Sequence, residues 1–255
     1  MVEPKDRYMK IAVIADIHGN DLALEAVLAD IAAHGIDDVV NLGDHLSGPL
    51  NAARTADILI VRNFPSIRGN HDRWLITKEP AAMGQWDRAA HDELQSHHLD
   101  WLRTLPPTLV HREQLFLCHG TPQDDLTYWL EDLTADGVVH MSARQRIERF
   151  AEGIDYPVIL CGHTHIPRAV RLSDGRIVVN PGSVGCPGYD DDEPVFHKVE
   201  TGSPDAAYAI LEKADGRWDV TFRRVAYDHM AMSRLAQERG NKEWASALAT
   251  GWIGT

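Results

Sequence analysis

The stretch MKIAVIADIHGN runs directly into DLALEAVLADIAAHG and then DVVNLGD, and this succession constrains the fold more than any other feature of the chain. Residues 11–14 form an apolar run rich in β-branched side chains, the kind of strand that is buried on both faces of a sheet. Leu24, Val27, Leu28 and Ile31 then recur at i, i+3, i+4 and i+7, one stripe of a helix closed by Gly35. A second apolar strand ends at Gly43-Asp44. Strand, helix and strand with short loops make a βαβ unit, so the two strands are expected to lie parallel.

The rhythm persists. Ala52, Ala53, Ala56, Leu59 and Ile60 fall on one helical face, and a short strand precedes Gly69-Asn70-His71-Asp72. Residues 74–107 read as helical, QLFLCHG as a strand, residues 121–153 as polar and helical, and YPVILCGHTH as another strand. Strands and turns follow. Asp174-Gly175 and Asp215-Gly216 each sit between apolar or alternating runs, the local signature of a hairpin. Past Tyr227 come two short helices separated by Gly240-Asn241. Without an internal repeat or a break in composition, the expectation is one αβ domain over residues 1–255. Within it, residues 1–8 read as an N-terminal extension and residues 228–255 as C-terminal helices.

Charge and cysteine usage narrow the function classes. A net charge of −13 argues against an extended nucleic-acid surface or adhesion to anionic membranes. It leaves room for a small anionic substrate, because a bound metal reverses the local field. Cys118, Cys161 and Cys186 suggest no disulfide framework and read as small buried hydrophobes in a reducing compartment. No signal-peptide pattern and no membrane-length apolar run is visible, so a cytoplasmic location is expected. The oligomeric state is not legible.

Metal-type ligands recur where strands run out: Asp16 and His18, Asp44, Asn70 with His71, His119, and His163 with His165. The C-terminal ends of parallel strands share one sheet edge, where α/β proteins place their sites. Carboxylate, amide oxygen and imidazole together suit Mn, Fe, Zn or Ni, and the thiolates of a structural zinc site are missing.

In their order, DIHG, GD, GNHD, HG and GHTH resemble the motif set of the calcineurin-like metallophosphoesterase superfamily, particularly its small bacterial phosphodiesterase-like members. The motifs run from Met9 to about Ser183, and NPGSVG and the closing helices extend the likeness more loosely. The resemblance implies a four-layer αββα sandwich of two mixed sheets flanked by helices, with both late hairpins building the second sheet. It also implies two divalent or mixed-valence transition-metal ions. Asp16, His18 and His165 would hold one, Asn70, His119 and His163 the other, and Asp44 would bridge them. A bridging hydroxide would attack phosphorus in line. His71 would protonate the leaving oxygen, and Asp72 would orient His71.

The activity implied is hydrolysis of a small phosphoester, with diesters preferred. The alternatives are a phosphomonoesterase or nucleotide phosphatase, and a non-catalytic scaffold of the same fold. GDHLSGP lacks the arginine that protein phosphatases and dinucleoside tetraphosphatases carry after GD, which counts against those two types. His34, His91, His97, His98, His111 and His140 read as loop or solvated-face residues. His45 is either a site contact or a loop residue, and Arg68 either a phosphate contact or a structural ion pair. GYDDDEP, residues 188–194, reads as a solvated loop or a lid that repels highly charged substrates. Tyr128 and Trp129 read as core residues, with stacking on a planar group as the alternative.

Overall fold

The computed structural model describes residues 8–254; residues 1–7, most of the expected extension, lie outside the described residues, as does Thr255. Tyr8 already belongs to the first strand. The first part of the chain comprises β1 (Tyr8–Ile14), α1 (Asp21–Ala33), β2 (Val39–Asn41), α2 (Ala52–Arg62), α3 (Asn70–Thr77), α4 (Gln85–Glu93) and α5 (Ser96–Thr104). Then come β3 (Leu109–His111), β4 (Leu115–Leu117), β5 (Glu131–Leu133), β6 (Val139–Met141), α6 (Arg144–Phe150) and β7 (Val158–Leu160). The last part comprises β8 (Arg168–Arg171), β9 (Ile177–Asn180), β10 (Gly188–Asp191), β11 (His197–Glu200), β12 (Ala206–Ala214), β13 (Arg217–Val225), α7 (His229–Glu238) and α8 (Lys242–Thr250).

The βαβ expectation holds: β1 and β2 pair in parallel, Ala12 against Val39 through Ile14 against Asn41. The helix between them starts where the Asn20 side chain accepts the Ala23 N–H at 3.1 Å. Its stripe of Leu24, Val27, Leu28 and Ile31 packs on Ala12 and Ile14 of β1. The alternate residues of the same strand, Ile11 and Val13, face the other way, into a core shared with Leu115, Leu117, Val158, Leu160 and Val179. Burial on both faces explains why β1 reads as a continuous apolar run rather than an alternation.

Two mixed sheets face each other across that core. One has the order β13-β12-β1-β2, the other β3-β4-β7-β9-β8, in which β4, β7 and β9 run parallel. Ile147 and Ala151, at and just after α6, cover the second sheet through Trp129, Ile159 and Val178. The result is the layered αββα sandwich.

Three local expectations are corrected. The two late hairpins do not share a sheet: β8–β9 joins the second, whereas β12 pairs antiparallel with β1 along Tyr8–Val13 and brings β13 into the first. Residues 121–153 are mostly loop plus the β5–β6 hairpin, with a helix only over α6. The strand expected before Gly69 is reduced to a single parallel bridge between Asn41 and Ser66.

Candidate metal centre

The loops leaving β1, β2, β4 and β7 carry Asp16 and His18, Asp44, His119, and His163 and His165, and Asn70 is the first residue of α3. His119 crosses from one sheet to the other, its Nδ1 lying 2.8 Å from the carbonyl of Leu42. The backbone here is unusually bent. Asp16, His18, Asp44, His163 and His165 all have positive φ, five of the nine such non-glycine residues among those described. Left-handed backbone in residues with a Cβ costs about 1 kcal/mol each and persists where surrounding contacts enforce it. Gly69 serves a different need, close approach: a Cβ there would collide with the Asp44 carboxylate and the His119 ring.

Each of the four imidazoles has one nitrogen set against a backbone carbonyl. His18 Nδ1 faces Ser47 O at 2.7 Å, His119 Nδ1 faces Leu42 O at 2.8 Å, and His165 Nδ1 faces Cys186 O at 2.8 Å. His163 Nε2 faces Leu126 O at 2.9 Å. A carbonyl can only accept, so each of these nitrogens carries the hydrogen and the other nitrogen of a neutral ring is a lone pair. The lone-pair nitrogens converge in two groups, Asp16 with His18 and His165, and Asp44 with His119 and His163. His18 Nε2 and His165 Nε2 approach to 3.2 Å. Two lone pairs at that distance repel unless a cation lies between them. Asn70 Oδ1 and Asp44 Oδ2 lie 3.0 Å and 3.2 Å from His119 Nε2. The same Asp44 oxygen is 4.0 Å from His18 Nε2, so one carboxylate faces both groups. This donor set fits two transition-metal ions.

The electrostatics agree for three of the four rings and set His119 apart. Burial pulls His18 down to about 4 and His163 to about 3, and drives His165 well below its ordinary value, so these three rings are neutral bases. Burial acts on His119 too, but the Asp44 carboxylate outweighs it and lifts His119 to about 10, so without a cation Nε2 carries a proton toward Asp44, which a bound metal ion would displace. Burial raises Asp16, whereas for Asp44 it is overcome by His119 and His71, which hold the carboxyl well below the usual range.

His71 sits in the second residue of α3 with its backbone N–H 3.0 Å from Asp44 Oδ1. Its side-chain partner is not Asp72. Asp72 is fully buried and saturated by the N–H groups of Asp44 (2.8 Å), His45 (3.0 Å) and Gly69 (2.9 Å) and by His45 Nδ1 (2.7 Å). An acid at the third position of a helix reaches back to the cap, away from the second residue's ring. The carboxylate that holds His71 is Asp87 of α4, whose Oδ1 lies 2.6 Å from His71 Nδ1 and accepts the Ser47 hydroxyl at 2.7 Å. Sequence reading missed it, because Asp87 lies in no motif and α4 reads as a solvated helix. Burial lowers His71, but Asp44 and Asp87 together leave it raised.

Around these residues opens a cleft of about 1010 Å³. Tyr128 lines it, whereas Trp129 is core, its Nε1 donating to Ile147 O at 3.0 Å. The acidic stretch is no free loop: Gly188–Asp191 pairs with His197–Glu200, and Tyr189, Asp190, Asp191 and Glu193 line the cleft. His45 is buried on Asp72, and Arg68 bonds the carbonyl of Leu105 at 3.2 Å, so neither reaches the cleft. A third cluster, Asp57 with His97 and His98, resembles a metal site only by proximity. His98 Nδ1 accepts the Gln95 N–H at 3.1 Å, which puts the hydrogen on Nε2, donated to Asp57 Oδ1 at 3.0 Å; His98 is a buried helix cap without a free lone pair. The three cysteines are buried and free, and burial pushes each thiol up.

Two facing mixed sheets with imidazoles, carboxylates and an amide gathered at their common edge define a metallophosphoesterase fold. The calcineurin-like phosphoesterase superfamily domain matches residues 9–202, and the chain belongs to that superfamily. A metallophosphoesterase from Sphaerobacter thermophilus is similar, with 26% identity and a TM-score of 0.74 over 95% of this chain and 99% of that one. An uncharacterized protein of Methanocaldococcus jannaschii is 27% identical over 244 residues, 86% of this chain and 88% of the relative. A putative diadenosine tetraphosphatase shares the fold at 15% identity, with a TM-score of 0.51 over 84% of this chain and 93% of that one. Membership implies hydrolase chemistry with divalent metal ions. Among the described residues no helix is long and apolar enough to cross a membrane.

Proposed function

We propose that the protein is a dimetal phosphodiesterase. The observation that carries the reading is the His18–His165 contact, two neutral rings whose lone pairs meet at 3.2 Å with both hydrogens engaged by carbonyls. Asp16, His18 and His165 would hold one ion, Asn70, His119 and His163 the other, and Asp44, facing both groups, would bridge them. Bound Mn, Fe, Zn or Ni would supply Lewis acidity and a water ionised near neutral pH.

The chain's own contribution is orientation and a proton. His71 is fixed through Nδ1 by Asp87, which leaves Nε2 as the nitrogen without a hydrogen-bond partner, on a ring that lines the cleft. As water oxygen bonds to phosphorus and the bond to the departing oxygen breaks, His71 would give that oxygen its proton. A cleft of about 1010 Å³ has room for substituents on both sides of a phosphorus atom, which favours diesters over monoesters. The protein is expected to act on a small phosphoester in the cytoplasm.

The test compares bis-p-nitrophenyl phosphate with p-nitrophenyl phosphate, using chelated protein, protein restored with Mn²⁺ and the Asn70→Ala variant. Diester turnover that needs both metal and Asn70 is the expected result. Turnover of the monoester alone would make the protein a phosphomonoesterase. Metal binding without either activity would point to a scaffold.

A further inference from the structure

Charge and aromatic surface are distributed unevenly in the cleft. Besides the candidate ligand Asp44, its lining includes four carboxylates, Asp132, Asp190, Asp191 and Glu193, and one guanidinium, Arg146. That guanidinium is already engaged, Nη1 lying 3.2 Å from Trp129 O, 3.1 Å from Glu131 O and 2.7 Å from Ser142 Oγ. Nε lies 3.7 Å from Asp132. Among the described lining residues no lysine and no uncommitted arginine is left to neutralise a second phosphate. Sites that hold polyphosphates rely on such groups.

The part of the lining nearest the metal-type ligands is rich in aromatic rings held in place by one another. Trp86 stands edge-on to Trp244 at 5.5 Å, and Trp244 stands edge-on to His18 at 5.9 Å. Trp74 stands edge-on to His71 at 4.8 Å. Tyr189 meets the His165 ring at 4.7 Å and Tyr128 meets the His163 ring at 5.0 Å. The tyrosine hydroxyls are 2.6 Å apart, and Tyr128 also bonds His197 Nε2 at 2.9 Å, which ties the acidic hairpin to the same surface. Aromatic rings therefore continue outward from the metal-type ligands without an intervening polar shell.

We propose that this cleft selects phosphodiesters with a single ionised phosphate and a planar aromatic substituent, of which nucleoside and aryl esters are the chemical type, and that it rejects esters carrying a further phosphate. The selection rests on the phosphodiesterase reading. The substituent lies against the partly exposed rings of Trp86 and Tyr128, backed by the buried Trp244 and Tyr189, where ring stacking is favourable and indifferent to hydrogen-bonding pattern. The carboxylates of the hairpin repel additional negative charge that the two-ion centre does not reach.

Three esters with the same p-nitrophenolate leaving group separate the possibilities: methyl p-nitrophenyl phosphate, thymidine 5′-phosphate p-nitrophenyl ester and thymidine 5′-diphosphate p-nitrophenyl ester. With Mn²⁺-loaded protein, kcat/KM for the thymidine monophosphate ester is expected to exceed that for the methyl ester by about 10-fold or more, the size of one base–aromatic stack. The added phosphate is expected to lower kcat/KM by about 10-fold or more, from its repulsion by the hairpin carboxylates. Trp86→Leu is expected to collapse the thymidine-to-methyl ratio and Trp86→Phe to keep most of it. Equal rates on the methyl and thymidine esters, a ratio unmoved by Trp86→Leu, or faster cleavage of the diphosphate ester would each overturn the proposal. No cleavage of any diester beside cleavage of p-nitrophenyl phosphate would instead remove the phosphodiesterase reading on which it stands.

Discussion

Two aspartates, equally buried near His71, differ in what they hold. Asp87 touches the ring and Asp72 touches backbone. His71→Ala is expected to leave metal content unchanged and to lower turnover of an ester with a poor leaving group by about 10²–10⁴-fold. Asp87→Ala is expected to cost about 10–100-fold on that ester, with the loss shrinking as the leaving group improves, which a merely structural change would not produce. Asp72→Ala strands several buried N–H groups, and urea unfolding should record a loss of about 3 kcal/mol or more. If Asp72→Ala alone reproduced the leaving-group dependence, the roles would have to be exchanged. The candidate ligands were legible in the sequence because they come in short groups where an apolar run stops, each group accompanied by a glycine (Gly19, Gly43, Gly69, Gly120 and Gly162). The identity of the histidine's partner was not. A lone acid in the first turn of α4 says nothing until α4 is packed beside α3.

At the scale of elements, one carboxylate ties α1 to both β12 and β13, beside the apolar packing of its stripe. Asp30 accepts from Arg223 Nη2 at 2.8 Å and Nε at 3.1 Å and from the Tyr208 hydroxyl at 2.6 Å. The Arg223 hydrogen bond, with help from Tyr208, holds the carboxyl below its ordinary value of 3.8 against a smaller upward push from burial. The folded value is the lower one, so the contribution is complete above the unfolded value and disappears as pH falls through the folded one. Asp30→Asn should therefore flatten the acid side of the stability curve, read as urea midpoints between about pH 2 and 6, and leave its slope near neutrality unchanged. The helix and β1 were readable because their periodicities are local. The β5–β6 hairpin carries a signal of the same kind, Asp136-Gly137 with Gly137 at φ 80°, obscured by the polar residues around it. Which sheet β12 joins is decided by residues far apart in the chain, and no local pattern records that.

Across the whole molecule, the candidate centre is where the two sheets are joined, since its residues come from loops of both and from α3. Ions bound there stabilise only the folded chain, by mass action. Chelation should lower the thermal midpoint, and Mn²⁺ should restore it, whereas Asp44→Asn should make the midpoint nearly insensitive to metal. An unchanged midpoint on chelation of protein shown to contain metal would argue that the sheets hold together without it. The inter-sheet core itself is built from Ile11, Val13, Leu117, Leu160 and Leu211 and needs no ion to be apolar. That layering could be expected from the motif resemblance, but the sequence pattern alone reaches only an αβ beginning and hairpins after it.

The left-handed backbone at Asp16, His18, Asp44, His163 and His165 gives this arrangement a bias of its own. Glycine would sit more comfortably at every one of those positions, by about 1 kcal/mol each, and would bind nothing. A selection for heat resistance run with metal present would nevertheless spare these residues, because glycine there would ease the backbone and forfeit both the largely buried side chain and the ions' contribution to stability.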